Sequence, residues 1–515
     1  MNSPTPTSSG RNPRVPNPRV IVIGGGVTGL TAAYRLLHPD GGAEPAPDAP
    51  DVVLLESTDR LGGKILSTPF LGRSVDEGAD AFLLRVPWAS NLCAELGIST
   101  EYISPAASGA SVVHGRAAES HTELGSSPLP DGLVAGVPTR LGPLWRSPLL
   151  GRSAALRAAM DYVLPRTRMH RGSAASVGDI VSARLGSAVA ARVVDPLLGS
   201  ISAGDVNRID AATSAPMLGT ALGRSRSLMR GLRAVQPAPT GASGAVSPAP
   251  IFASFAGGMG KLVDTLRERI TRCDLRLGVD VRAVRRAELD EFESGRPLVV
   301  ETATQTLDAD AVIVTAPAHA ASRMLAAAPA AADALGRIDY ASVAVVTLGV
   351  RAQDVEGEFA EAGFLVARST GLLTTACSFG TSKWPQWSDG EHVVLRVSVG
   401  RDNDDRHTKM SDIELRDALI AELSRLPTLR ALGDRPDAVA DWRVSRWERS
   451  LPQYRPGHSD LIDRVDSALA HDLPGVVVAG AACRGLGIPA CIRGGDTAAT
   501  TTAERLRSAR AGASR

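Results

Sequence analysis

The stretch Val20–Thr31 reads VIVIGGGVTGLT, and it restricts the fold more than any other part of the chain. Val20, Ile21, Val22 and Ile23 form a β-branched apolar run, the pattern of a strand buried on both faces. Gly24, Gly26 and Gly29 follow at G-x-G-x-x-G spacing, with Gly25, Val27 and Thr28 between them, and Leu30–Leu37 then carries a helical pattern. Such glycines let the backbone turn tightly and approach a diphosphate. The helix behind them offers free N–H groups and a partial positive charge to its oxygens. A strand, glycine turn and helix in this order predict a dinucleotide-binding α/β unit.

Two further stretches narrow the ligand. Asp51–Glu56 (DVVLLE) is a second buried strand ending in an acid, the position that takes ribose hydroxyls in this fold. The Pro/Gly-rich insert His38–Pro50 accounts for its late arrival. Arg60-Leu61-Gly62-Gly63-Lys64 is then a second glycine turn with flanking cations, which a nicotinamide dehydrogenase does not need. Large flavoproteins use such a turn against the diphosphate, so the three elements together predict FAD. A solvated turn is the plainer reading of Arg60–Lys64.

With 515 residues the chain exceeds one simple core, and two or three domains are expected. Basic and acidic residues number 56 and 55, a net charge of +1, so nucleic acid is not expected as a principal ligand. Five widely spaced cysteines, Cys93, Cys273, Cys377, Cys483 and Cys491, suit free thiols in a reducing cytoplasm rather than a disulfide framework or zinc site. Cys483 and Cys491 read as small packing residues. The nine histidines show no metal spacing, no G-x-S-x-G occurs, and no run of 18 uncharged apolar residues predicts a transmembrane helix. A weak hold on a membrane surface stays compatible with the sequence.

Along the chain, residues 1–17 read as a disordered tail and 18–105 as the first part of the FAD-binding domain. Phe70–Asp80 reads as a hairpin and turn, and Phe82–Gly97 as a helix with Arg85 at its opening. Residues 106–230 read as a mostly helical insertion forming part of the substrate pocket. Its Arg152, Arg157, Arg166, Arg168 and Arg171 suit either solvated faces or a basic face toward anionic lipid or an acidic substrate. Residues 231–250 contain a low-complexity loop, and 251–325 return to the FAD-binding domain through Leu275–Val281 and Asp310–Pro317, both read as strands. Residues 326–450 hold β-branched runs (Val343–Val350, Phe364–Ala367, His392–Val399) and the amphipathic helix Asp412–Leu423, a largely antiparallel substrate domain. Residues 451–510 complete the FAD-binding domain with the strand Gly475–Gly480, the loop Ala481–Pro489 and a C-terminal helix beginning near Ile492–Asp496. The fold class is thus α/β (α+β overall): a Rossmann-like domain from discontinuous segments, a mixed β-sheet substrate domain and a helical insertion.

The stretches VIVIGGGVTGLTAAYRL, LLESTDRLGGKI, DEGADAFL, FAGGMGKLVDTL, DADAVIVTAPA and VVVAGAACRGLGIPACIRGG span residues 20–495. Collected, they resemble the protoporphyrinogen/coproporphyrinogen oxidases within the amine-oxidase-like flavoproteins. The more discriminating pieces are DEGADAFL, Leu197–Asp205, Ser382–Pro385 and RGLGIPACI. The resemblance implies FAD contacts at Gly24–Gly29, Glu56, Ser57, Arg60, Gly63 and Lys64. It continues them at Glu77, Gly78, Ala79 and Asp80, at Val281 beside the adenine, and at Ala481, Leu486, Gly487 and Ile488 near the ring. It maps a substrate-pocket segment onto Ser200, Ala203 and Gly204, with serine at 200 where relatives often have glycine.

The implied reaction removes six electrons from a porphyrinogen in three flavin-mediated hydride transfers, with O2 reoxidising the flavin to give H2O2. It asks for no nucleophile, metal or catalytic triad, so no catalytic side chain is assigned. It does ask for cations toward the substrate's propionates, and Arg85 is the candidate, against the plainer reading of an exposed helix-end arginine. Composition and the lack of an anchor resemble the Gram-positive, especially actinobacterial, branch. That branch oxidises coproporphyrinogen III ahead of iron insertion, which implies handover to a ferrochelatase. Oxidation of protoporphyrinogen IX stays open, as do a flavin amine oxidase, a carotenoid desaturase and a non-enzymatic flavoprotein.

Overall fold

Five of the apolar runs meet in one parallel sheet. Its strands stand in the order Asp274–Arg276, Asp51–Leu55, Arg19–Ile23, Ala311–Val314 and Val476–Val478. Val20 pairs with Val52 on one side and Ala311 on the other, so the first strand is central. The structure, a computed structural model, describes residues 17–115, 124–166, 174–235, 250–288, 295–357, 359–435 and 437–513. The tail through residue 16, the loop 236–249, Arg168 and Arg171 lie outside these residues.

Burial on both sheet faces explains why these strands lack polar alternation. Helices Val27–Leu37 and Ile488–Ala513 share one core, with Leu30, Ala33, Ile492 and Ala499 buried together. The other face is covered by Ala318–Met324, Pro329–Gly336 and His458–Asp472. Leu275–Val281 is not one strand. Gly278 at φ 68° ends the parallel strand, and Val281 opens Val281–Arg286 in a separate antiparallel sheet. The intervening turn is tied to the end of the strand Asp51–Leu55, since Val279 N–H donates to the Glu56 carbonyl at 2.9 Å.

The second sheet has seven strands, in the order Val439–Pro452, Tyr340–Arg351, His392–Val399, Thr374–Phe379, Gly363–Val366, Ser111–His114 and Gly125–Pro128. All neighbours are antiparallel except Gly363–Val366 with Ser111–His114. The segment read as mostly helical from 106 therefore opens with two strands of this sheet. Asp412–Leu423 is a helix with those same ends; its Ser411 and Glu414 form a reciprocal capping box, and Leu415, Leu419 and Leu423 pack on the sheet.

Helices follow from 141 to 235 around their own core. Ala190–Gly199 takes the wide π-helical form around Pro196, which has no N–H to continue a regular ladder. Arg157 and Arg166 are spent on main-chain carbonyls: Arg157 donates to Ser182, Ala183 and Arg184 and Arg166 to Gly223, while Arg152 is exposed. Among the described residues no helix is long and apolar enough to cross a membrane.

Candidate functional site

A cavity of about 1020 Å3 opens at the carboxyl ends of the parallel strands, where an α/β sheet reverses its strand order. It runs from the first glycine turn to the wall of the second sheet and the helical segment around Ser200. Gly24, at φ 109°, turns the chain out of the central strand, and a Cβ on Gly29 would stand 1.9 Å from the Gly24 carbonyl oxygen. Gly26 precedes the helix Val27–Leu37 without any side-chain cap, leaving its first N–H groups for a ligand. The second turn seats against the first, with Gly62 N–H donating to the Gly25 carbonyl at 2.9 Å. Glu56 accepts the Gly25 N–H at 2.6 Å and the Thr58 N–H at 2.9 Å. The Thr58 hydroxyl at 2.9 Å and the Ser57 hydroxyl at 3.3 Å share the oxygen that Thr58 N–H uses, so the oxygen facing Gly25 is the one that keeps a lone pair for a further hydroxyl donor.

Gly24, Gly26, Val27, Thr28, Glu56, Ser57, Gly63, Lys64 and Val281 all line this end of the cavity. Gly25 and Gly29 stand behind the lining and shape the turn. Arg60 also stands outside it, donating to the carbonyls of Leu61 at 3.2 Å and Gly63 at 2.7 Å, so it braces the second turn. Lys64 Nζ donates to the Ser450 carbonyl, and burial pulls the ammonium below its ordinary range.

The stretch Asp76–Asp80 divides its work. Gly78 and Ala79 line the cavity, and a Cβ on Gly78 would meet the Lys64 carbonyl oxygen at 2.3 Å. Glu77 and Asp80 do not line it; they clasp the second sheet. Asp80 meets Lys383 Nζ at 2.7 Å, Trp384 Nε1 at 3.1 Å and Arg396 at 3.2 Å, and its side chain is 17 % exposed. Burial alone would raise its pKa, but Lys383 and Arg396 override this and hold the carboxyl well below the usual carboxylate range. Arg396 also donates to the Gly78 carbonyl at 2.5 Å, passing the clasp to the cavity wall. Glu77 accepts from Thr68 at 2.6 Å and Ser445 at 2.8 Å; these bonds and Arg443 outweigh burial and lower its pKa. Asp76, buried with Oδ2 unbonded, is pushed by burial up to about 6.

Ala481, Leu486, Gly487 and Ile488 line the wall where the last helix begins. That helix starts at Ile488, a turn earlier than the sequence suggested, because Pro489 suits a first turn that lacks intrahelical N–H partners. Cys491, read as packing, is buried on the cavity wall, its thiol pushed up by burial. All five cysteines are free.

At the far wall stand Ser200, Ala203 and Gly204, knit to the second sheet's loops: Asp402 N–H donates to the Ala203 carbonyl at 2.6 Å and Arg368 to the Gly204 carbonyl at 2.9 Å. Arg85 is not there. It is exposed in the turn before helix Pro87–Glu95, outside the lining, because that helix packs beside the C-terminal one, with Trp88 under Arg493 at 4.3 Å. The sequence reading missed Thr315–Pro317, Tyr340, Arg368, Arg401 and Trp447, which all line the cavity. Only Thr315–Pro317 carried a signal, following a buried strand at the sheet's binding edge. Among the described residues no His/Cys/Asp/Glu group could hold a metal ion.

A parallel sheet with two interlocked glycine turns and an acid at the end of its second strand, facing a second sheet across one cavity, is a Rossmann-like dinucleotide-binding fold. The family model for flavin containing amine oxidoreductase matches residues 27–502, and the chain belongs to that family. It is 34% identical over 487 residues to the coproporphyrinogen III oxidase of Mycobacterium tuberculosis, covering 94% of this chain and 97% of that one. It is 30% identical to the enzyme of the same name from Bacillus subtilis, covering 93% and 96%. A crystal structure from Exiguobacterium sp. 255-15, assigned as a protoporphyrinogen oxidase, matches with TM-score 0.78 at 27% identity, over 94% of this chain and 98% of that one. Cyclohexylamine oxidase from Brevibacterium oxydans, at 16% identity and TM-score 0.63 over 96% and 100%, shares the fold. This is a flavin-dependent oxidoreductase of the porphyrinogen-oxidase kind.

Proposed function

We propose that the chain binds FAD and oxidises coproporphyrinogen III to coproporphyrin III. Six electrons and six protons leave the substrate, and three O2 become three H2O2. The observation that carries this reading is one cavity running from the glycine turns to a far wall that includes aliphatic residues such as Val345 and Val366 and the cations Arg368 and Arg401. Its volume of about 1020 Å3 is at the upper end of the roughly 300–1,000 Å3 of ligand pockets, as a dinucleotide beside a macrocycle requires. Bound FAD would supply the hydride acceptor and deliver the electrons to O2.

The residues of the chain hold and orient. The helix start at Gly26–Thr28 and the turn Gly62–Lys64 take the diphosphate, Glu56 the ribose hydroxyls, and Val281 flanks the adenine. The start of the helix at Ile488 and the Gly78–Ala79 backbone flank the ring. Pyrrole protons leave to solvent or to a backbone carbonyl, and no side-chain nucleophile takes part. An amine oxidase's aromatic cage finds no support in the lining. Of its described residues only Tyr340 and Trp447 are aromatic, and both are engaged elsewhere. Tyr340 Oη accepts Ala318 N–H at 2.7 Å, and Trp447 donates to the Glu77 carbonyl at 3.3 Å.

The test is anaerobic mixing of the purified protein with coproporphyrinogen III and, separately, protoporphyrinogen IX, following flavin bleaching. Faster bleaching and higher kcat/KM with coproporphyrinogen III are expected. Preference for protoporphyrinogen IX overturns the substrate, and bleaching by neither overturns the porphyrinogen reading.

A further inference from the structure

Two arginines stand at the far wall of the cavity. Arg368 follows the strand Gly363–Val366, and Arg401 follows His392–Val399; both line the main cavity. Both also line a second cavity of about 530 Å3, so they form the partition between the two.

Their counter-charges are incomplete. Arg401 is 8 % exposed, yet among the described residues its carboxylate neighbour within ion-pair range is Asp404, at 3.9 Å. Asp404 is committed to Arg406, which meets it through two nitrogens at 2.8 and 2.7 Å. Arg401 otherwise donates to the Leu372 carbonyl at 3.3 Å. Arg368 donates to the carbonyls of Gly204 and Asp402, but its Nε makes no hydrogen bond, and the Asp195 carboxylate stands 3.6 Å away. Asp402, next in sequence to Arg401, gives its carboxylate to Arg455 and Arg208 instead. Burial and then the Arg368 charge pull the Arg401 guanidinium below its ordinary range, the signature of two cations facing each other without enough anion. Guanidiniums in that state, Arg401 buried and Arg368 half-buried, gain from a carboxylate between them.

We propose that Arg368 and Arg401 bind a propionate carboxylate of the substrate at this partition and thereby favour the four-propionate porphyrinogen over the two-propionate one. This rests on the porphyrinogen reading above. The second cavity holds Asp205, Asp404 and Asp405 beside its arginines, so it is no anion site itself; it gives the bound carboxylate a hydrated edge. A vinyl group at the same place would displace water from both guanidiniums without supplying the missing anion, and the cost would fall on protoporphyrinogen IX.

The experiment compares the holoenzyme with Arg368→Gln and Arg401→Gln, using both porphyrinogens, and titrates coproporphyrin III by fluorescence. Each variant should raise KM for coproporphyrinogen III about tenfold or more with kcat within about threefold, since the propionate is unchanged as hydride leaves. The ratio of kcat/KM for coproporphyrinogen III over protoporphyrinogen IX should fall at least about fivefold, with Arg368→Lys recovering part of it. Coproporphyrin III should bind correspondingly more weakly. Equal losses with both substrates, or unchanged KM and coproporphyrin affinity at parental flavin content, overturn the proposal. If Arg401→Gln does not fold, the half-exposed Arg368→Gln decides alone. Failure of the parent to oxidise any porphyrinogen tells against the enzyme reading, and the coproporphyrin titration then still judges the arginine site.

Discussion

The two ends of the cavity are built from different materials. The nucleotide end is made of main chain: two glycine turns, a helix start and one carboxylate, drawn from short contiguous stretches. The opposite end, with the clasp beside it, is made of charged side chains from segments hundreds of residues apart, such as Asp80 with Lys383 and Arg396. Backbone geometry excludes side chains at the first end, so substitutions there act through shape. At the second end charges are held partly out of water, so substitutions and pH act through desolvation.

The largest effect should come from Asp80→Asn, which leaves Lys383 and Arg396 without their shared carboxylate. A loss of about 3 kcal/mol is expected, at the lower end for breaking a buried ion pair. Because the native pKa of Asp80 is depressed, this contribution is present above the ordinary carboxylate range and disappears only in stronger acid, as pH falls through the native value. Denaturant melts of parent and variant should therefore differ at pH 7 and converge only at very low pH. Equal stability at pH 7 would remove the clasp from the comparison.

Asp76, a buried carboxyl beside the clasp, tests desolvation with the opposite sign. Its pKa rises from 3.8 to about 6, so between these values the native state binds more protons than the unfolded chain. Its contribution is complete below about pH 4 and is lost as pH rises through 6, by up to about 3 kcal/mol at ~1.4 kcal/mol per unit. Asp76→Asn should flatten the fall in stability between pH 4 and pH 7. A variant that follows the parent's pH profile would refute this assignment.

Glu56→Gln probes the nucleotide end. It removes a charged acceptor, and a loss of about 1.5–3 kcal/mol in FAD affinity is expected, read by titrating apoprotein with FAD. Apoprotein stability should also fall, by about 1–3 kcal/mol, since Gly25 and Thr58 donate to different carboxylate oxygens and the amide keeps only one of them, so FAD affinity is read under conditions where the apoprotein is folded. Parental affinity would mean that Glu56 does not hold the ribose.

Arg85→Ala should do least. An exposed side chain outside the lining is worth within about 0.5 kcal/mol, so KM for coproporphyrinogen III should stay within about twofold. A large rise in KM would return the propionate site to Arg85.

Much of the fold was legible because its signals are local. The run Val20–Ile23, the acid closing Asp51–Glu56 and the capped helix Asp412–Leu423 each carry their pattern within about a dozen residues. Val439–Pro452 was missed as a strand because its arginines and acids mask the period. Arg443 reaches Thr68 and the Val75 carbonyl, and Arg446 reaches Asp412, so those charges are satisfied across the sheet. Thr374–Phe379 was missed because TTACSF offers little apolar alternation.

The sequence alone determined the glycine turns, their order with the ribose acid, and the return of distant strands to one parallel sheet. Those features are fixed by what a backbone can do next to its own neighbours. Which of 56 basic residues line the main cavity was decided only by tertiary structure. In sequence, Arg85, Arg368 and Arg401 are equivalent cations at the ends of elements. Folding leaves the first in water and sets the other two, short of counter-charge, in the partition between two cavities. The cost of desolvating a charge depends on what the rest of the chain brings beside it, and no local pattern records that.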